Sequence, residues 1–157
     1  MKANISVVID TSGSMAEWGK HFIARGVVRA LEQYVRLGYA NADLRLVVWS
    51  NEARVIEWRP DQELPQELLV SEGSANTKAL VSLLGTEPGG KVLLLTDGFW
   101  SQADAKELKH WQERLQPDTL RIIKIGVDAN PQLKGKNVFA AEDLFAALDE
   151  WLEGGVA

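Results

Sequence analysis

The sequence predicts an α/β protein: a Rossmann-like, doubly wound and mostly parallel sheet with one antiparallel edge strand and helices on both faces. Three observations predict it. Short apolar runs alternate with stretches of helical periodicity, the pattern of a parallel sheet wrapped by crossover helices. The runs over 5–9 and 92–95 are apolar almost throughout, as strands covered on two sides are. A polar turn of Ser50, Asn51 and Glu52 joins two neighbouring strand-like runs and is too short for a crossover, so that pair is a hairpin at a sheet edge.

Ile5, Val7, Val8 and Ile9 form the first strand, which ends at Asp10; Thr11, Ser12, Gly13 and Ser14 break it. Trp18, Phe22, Ile23, Val27, Ala30, Leu31 and Tyr34 then recur at helical spacing, predicting a long helix over 16–37 that Gly38 stops. Strands follow over 44–49 and 53–58. Pro60 and Pro65 punctuate a loop with a helical turn over 64–70, and the turn-forming segment 71–76 leads into a short helix over 77–84. After Pro88, Gly89 and Gly90 comes the most apolar strand, 92–95, which runs into Thr96, Asp97 and Gly98. A helix over 103–115, a strand over 120–127, a short last strand over 137–140 and an amphipathic helix over 141–152 complete the pattern. Sheets of this kind bind ligands at the carboxyl ends of their strands, and both Asp10 and Asp97 fall there.

A length of 157 residues fits one domain over 1–157. Hydrophobic residues at 46% and charged residues at 25% exclude a disordered or fibrous chain. The balance of 17 Lys and Arg against 22 Asp and Glu gives a net charge of −5 and speaks against nucleic acid as a partner, because phosphate binding needs a basic excess. No apolar run approaches the ~18 residues of a membrane span, so neither membrane nor signal peptide is expected. The sequence has no cysteine, which removes disulfides and thiolate zinc and makes the cytoplasm the expected compartment.

Asp10, Ser12 and Ser14 stand at alternate positions in a loop that leaves a buried strand, so their oxygens converge if the loop curls, and Gly13 allows the tight turn. One carboxylate and two hydroxyls are hard donors suited to magnesium, and manganese fits as well. Taken singly, Ser12, Ser14 and Asp97 read first as helix N-caps. Two aspartates at the ends of two buried strands, one inside a five-residue pattern, favour a metal site, because caps require no such coincidence.

The segment IDTSGS at 9–14 resembles the Asp-X-Ser-X-Ser signature of von Willebrand factor A-type domains, whose metal-ion-dependent adhesion site opens after the first strand. LLLTDG at 93–98 resembles the family's second acidic signature, and IIKIGVDAN at 122–130 with the closing helix is similar to its later elements. The resemblance implies a metal set of Asp10, Ser12 and Ser14, with Asp97 acting through water and a threonine from a further loop. Thr77 is the choice for that threonine and Ser74 its substitute, since the segment 73–77 lacks the family's paired glycines. It also implies a small, stand-alone intracellular module of prokaryotic type, non-enzymatic, that captures a partner's Glu or Asp carboxylate on the ion. Such members serve as adaptors or subunits of multi-protein systems, for instance with an AAA+ ATPase or an operon-encoded partner.

Of six tryptophans, Trp49, Trp58, Trp111 and Trp151 lie inside predicted elements and read as core. Met15, Trp18, Phe99 and Trp100 flank the two loops and are candidates for a recognition rim, the alternative being that they pack beneath the loops. The competing function is a metal-dependent phosphatase or hydrolase with Asp10 as nucleophile. It wants a second acid two residues on, where Ser12 stands.

Overall fold

A computed structural model describes residues 3–153. In chain order the elements are β1 (Ala3–Asp10), α1 (Lys20–Arg36), β2 (Ala42–Trp49), β3 (Ala53–Ile56), α2 (Thr77–Leu84), β4 (Lys91–Thr96), α3 (Gln102–Arg114), β5 (Leu120–Lys124), β6 (Val138–Ala140) and α4 (Leu144–Glu153). Short 3-10 turns occupy Gly13–Gly19, Gln66–Leu69 and Ala141–Asp143.

The six strands form one sheet in the order β3-β2-β1-β4-β5-β6. All pairs are parallel except β2 with β3, the hairpin the short turn demanded. Alternate side chains feed two cores. Ile5, Val7, Ile9, Leu93, Leu95 and Ile123 pack on one face with Val28 and Leu31 of α1 and with Leu148 and Trp151 of α4. Val8, Val47, Leu94 and Ile122 pack on the other with Leu80 of α2 and with Leu108 and Trp111 of α3. This two-sided burial is why the central strands are apolar without alternation, and each such side chain stabilises the fold by about 1.5–3 kcal/mol. The buried indoles also satisfy their N–H groups: Trp49 donates to Asn76 O, Trp111 to Gly85 O and Trp151 to Asp118 O. Trp58 lies beyond the end of β3 and is half-buried against the first core.

The largest departure from the sequence expectation is at the head of α1. The helix begins at Lys20 rather than near 16, because Trp18 and Gly19 are both left-handed, with φ of 55° and 69°, and interrupt the turn that follows Ser12. Met15 lies inside that turn and is fully buried in the first core, so it is not on the rim where its position beside the serines had placed it. β3 and β5 end two and three residues early, β5 just before the left-handed Gly126.

From β1 the chain crosses to β2 on one side and returns through β4 on the other. The strand order therefore reverses between β1 and β4, which opens a crevice at their carboxyl ends.

Candidate metal centre

Asp10 closes β1 at this crevice and is only 1% exposed. Its Oδ1 accepts the Ser12 backbone N–H at 2.9 Å and its Oδ2 accepts the Thr96 hydroxyl at 2.6 Å. Thr96 Oγ1 also accepts the Gly98 N–H at 3.0 Å, so one hydroxyl ties the loop after β1 to the loop after β4. Burial pushes the Asp10 carboxyl up to about 6, with a further rise from the Asp97 charge, against the lowering effect of the hydrogen-bonding groups of Ser12 and Thr96.

The hydroxyls of Ser12 and Ser14 are both buried; Ser14 Oγ has no hydrogen-bond partner among the described residues, and Ser12 Oγ makes no well-formed bond there but lies near enough to the Asp10 carboxyl to hold it lower. Neither caps the helix that follows: Ser12 precedes the 3-10 turn without a side-chain cap bond, and α1 starts after Gly19. A buried hydroxyl without a partner at Ser14 and a second at Ser12 against a buried carboxylate form a hard-donor set of the kind a small dication fits, since a buried polar group left unpaired is otherwise costly. Among the described residues no cluster of three or more carboxylates, histidines or cysteines is placed to hold an ion, so any ion here rests on at most two carboxylates with hydroxyls and water.

A second loop lies along the first. Glu72 N–H donates to Thr11 O and Gly13 N–H to Gly73 O, both at 2.9 Å, which brings the next residue, Ser74, to the edge of the crevice. Ser74 is exposed and shares a shallow groove with Phe99 and Trp100 of the Asp97 loop. Thr77 is placed differently. It opens α2, is fully buried, and donates its hydroxyl to Asp104 O at 3.0 Å while its N–H reaches Asp104 Oδ1 at 2.9 Å.

Asp97 follows β4 and is fully buried. Its Oδ1 accepts the Phe99 N–H at 3.1 Å, and its Oδ2 accepts from Lys20 Nζ at 2.9 Å. Lys20, 1% exposed, makes a second ion pair with Asp128 Oδ2 at 3.0 Å and lies 5.1 Å from the centre of the Phe99 ring. Desolvation pulls the ammonium down, but the hydrogen bonds and charges of Asp97 and Asp128 outweigh it and raise it above the usual lysine range.

The fold recurs in solved structures. The manganese-loaded TRAP protein of Plasmodium vivax aligns with 96% of this chain and 73% of its own at a TM-score of 0.67 and 16% identity. A von Willebrand factor type A protein from Catenulispora acidiphila aligns with 98% of this chain at a TM-score of 0.58 and 18% identity. The fold is that of a von Willebrand factor A domain. This chain spans only 42% of the length of the Catenulispora protein. An aerotolerance-related membrane protein from Bacteroides fragilis shares it over 79% of this chain and 68% of its own, at a TM-score of 0.52 and 15% identity. No protein-family model matches the sequence, and no curated protein matches it.

Within the A-domain fold, Asp10 and Asp97 stand at the ends of the paired strands β1 and β4, Ser12 bonds to Asp10 through its N–H, and the loop that carries Ser74 is hydrogen-bonded to the segment 11–13. Of the rim candidates, Trp18 is 81% exposed and Phe99 43%, whereas Trp100 is half-buried and leans on Trp49 with ring centres 5.8 Å apart. Sequence reasoning missed Lys20 and the exposed Phe22. A signal for Lys20 was present: it heads the stripe Lys20, Ala24, Val27, Val28, Leu31, all of them buried, so its helical register points inward.

Proposed function

We propose that this chain is a non-enzymatic, divalent-metal-dependent protein-binding module. Asp10, Ser12 and Ser14 would hold magnesium or manganese, with Ser74 favoured over Thr77 for the further hydroxyl and Asp97 acting through water. The ion supplies one Lewis-acidic position to a partner's Glu or Asp carboxylate. Ser12 and Ser14 leave that position electrophilic because they donate without adding charge, and Trp18, Phe22 and Phe99 offer apolar contact beside it. The reading extends to an adaptor or subunit of a cytoplasmic multi-protein system, such as one built around an AAA+ ATPase.

The observation that carries it is the buried, unpartnered hydroxyl of Ser14 two residues after Ser12, whose own buried hydroxyl lies against Asp10. The manganese carried by the structurally similar TRAP protein is consistent with that ligand set. Nucleophilic chemistry at Asp10 gains no support, since Ser12 stands where an acid/base group is needed. Calorimetry on the full chain with Mg2+ and with Mn2+ tests the reading: one-site binding that Asp10→Ala abolishes is expected. Equal heats from wild type and variant, or no binding of either ion, would overturn it.

A further inference from the structure

Lys20 is the one fully buried Lys or Arg among the described residues. Its position is unfavourable on two counts, because an ammonium is costly to desolvate and because it opens α1, whose N-terminal end carries the positive pole of the helix dipole. The surroundings are built to keep it there. Asp97 Oδ2 and Asp128 Oδ2 accept from Nζ at 2.9 and 3.0 Å, and the Phe99 ring faces it. Gly126, left-handed at φ 94°, leaves the space through which the stem passes: a Cβ there would lie 3.2 Å from both Cγ and Cε of Lys20. One cation thus fastens three segments, the head of α1, the loop after β4 and the loop after β5.

The consequence for the crevice is electrostatic. Both oxygens of Asp97 are already engaged, one by the Phe99 N–H and one by Lys20. A divalent ion arriving beside Asp10 meets an aspartate whose charge, still felt at Asp10, is partly offset by an ammonium that repels the ion. We propose that Lys20 is a built-in counter-cation of the site: it keeps the Asp97 and Asp128 loops assembled without a divalent ion and, by occupying Asp97, lowers the affinity of the site for that ion. The role is one of positioning and tuning, and it rests on the metal-centre reading above. An ion bound under these conditions stays short of negative charge and so draws more strongly on a partner's carboxylate.

The test uses the full chain and two ions, Mg2+ and Mn2+. Lys20→Gln keeps a hydrogen-bond donor for Asp97 but removes the charge, and Lys20→Arg keeps the charge. Calorimetry should show Lys20→Gln binding each ion at least about tenfold tighter than wild type, equivalent to about 1.4 kcal/mol, with Lys20→Arg close to wild type. Hydrogen exchange in excess chelator should find the amides over 97–101 and 126–130 protected in wild type, with ion addition changing them less than about twofold, and exposed in Lys20→Gln until ion is added. Wild-type binding with equal or weaker affinity in Lys20→Gln overturns this proposal alone, while no binding by any of the proteins overturns the metal centre and this proposal with it. Should Lys20→Gln fail to fold, the wild-type arm still decides: loops that exchange freely in chelator and become protected only with ion overturn the role given to Lys20.

Discussion

Asp10 is a carboxylate held where ionisation is expensive, and its energetics can be isolated from those of the other acids. In the unfolded chain it titrates near 3.8, whereas burial lifts it to about 6 in the folded protein. Between those values the folded state holds the extra proton, so stability in chelator falls as pH rises through the window from about 4 to 6 and stays low above it. The span corresponds to about 3 kcal/mol, read as the difference between wild type and Asp10→Asn, whose side chain cannot ionise. Chemical denaturation in chelator should therefore show Asp10→Asn matching wild type near pH 4 and exceeding it by up to about that amount at pH 7. Saturating Mg2+ should shrink the gap by stabilising wild type, since the ion takes the place of the proton. A gap that does not depend on pH would mean that Asp10 ionises in the fold at no cost. At this scale the sequence was informative about the end of a buried strand, where Asp10 is buried and accepts the Ser12 N–H. It was silent where backbone turns redirect side chains: Met15 is turned into the core by the 3-10 segment, and Lys20 is drawn in by two carboxylates that lie 77 and 108 residues further along the chain.

Among the elements, the junction of α2 and α3 separates two hydroxyls that the sequence left as alternatives. Ser101 caps α3 by accepting the Asp104 N–H, and its own hydroxyl donates to Asp104 Oδ2 at 2.6 Å. Asp104 in turn receives Thr77 through both its side chain and its carbonyl, so the start of α2 is pinned to the first turn of α3. Thr77→Ala should therefore cost about 1 kcal/mol of stability for the lost buried hydrogen bond and leave ion affinity within about twofold. Ser74→Ala, on an exposed position at the crevice, should leave stability unchanged and weaken Mn2+ binding severalfold. Thermal denaturation paired with calorimetry separates the two, and a loss of ion affinity confined to Thr77→Ala would return the ligand role to Thr77. The extent of α2 was legible because its apolar spacing and flanking turn residues agree with its packing. The helical register before α1 was not, because Trp18 fits an apolar periodicity on paper while its left-handed backbone takes it out of the helix.

On the scale of the whole molecule, the sheet order brings two loops from either side of the strand-order reversal to one end, and the surface around them is unusually apolar. Trp18, Phe22 and Phe99 flank Lys20 at 81%, 60% and 43% exposure, and Val127 beside Asp128 is exposed as well. Trp18 is also the one large apolar residue among the described residues with a positive φ, a conformation that costs roughly 1–2 kcal/mol for an L side chain. An exposed indole gives back little of that through packing, which points to a use outside the fold. Trp18→Asn, a residue that tolerates the left-handed region, should therefore stabilise the chain by about 1 kcal/mol in thermal denaturation and leave ion binding intact. Against an acidic partner, once one is found by affinity capture with and without Mg2+, the same substitution should weaken binding by ~2 kcal/mol, the scale of a central tryptophan contact. Trp100→Ala should do the opposite, lowering stability through its lost contact with Trp49. Chelator, or exchange of the partner's critical Glu or Asp for its amide, should abolish capture altogether. Trp18→Asn that neither stabilises the chain nor weakens capture would assign the strained turn to loop geometry alone, and undiminished capture in chelator would move the interface away from the strand ends.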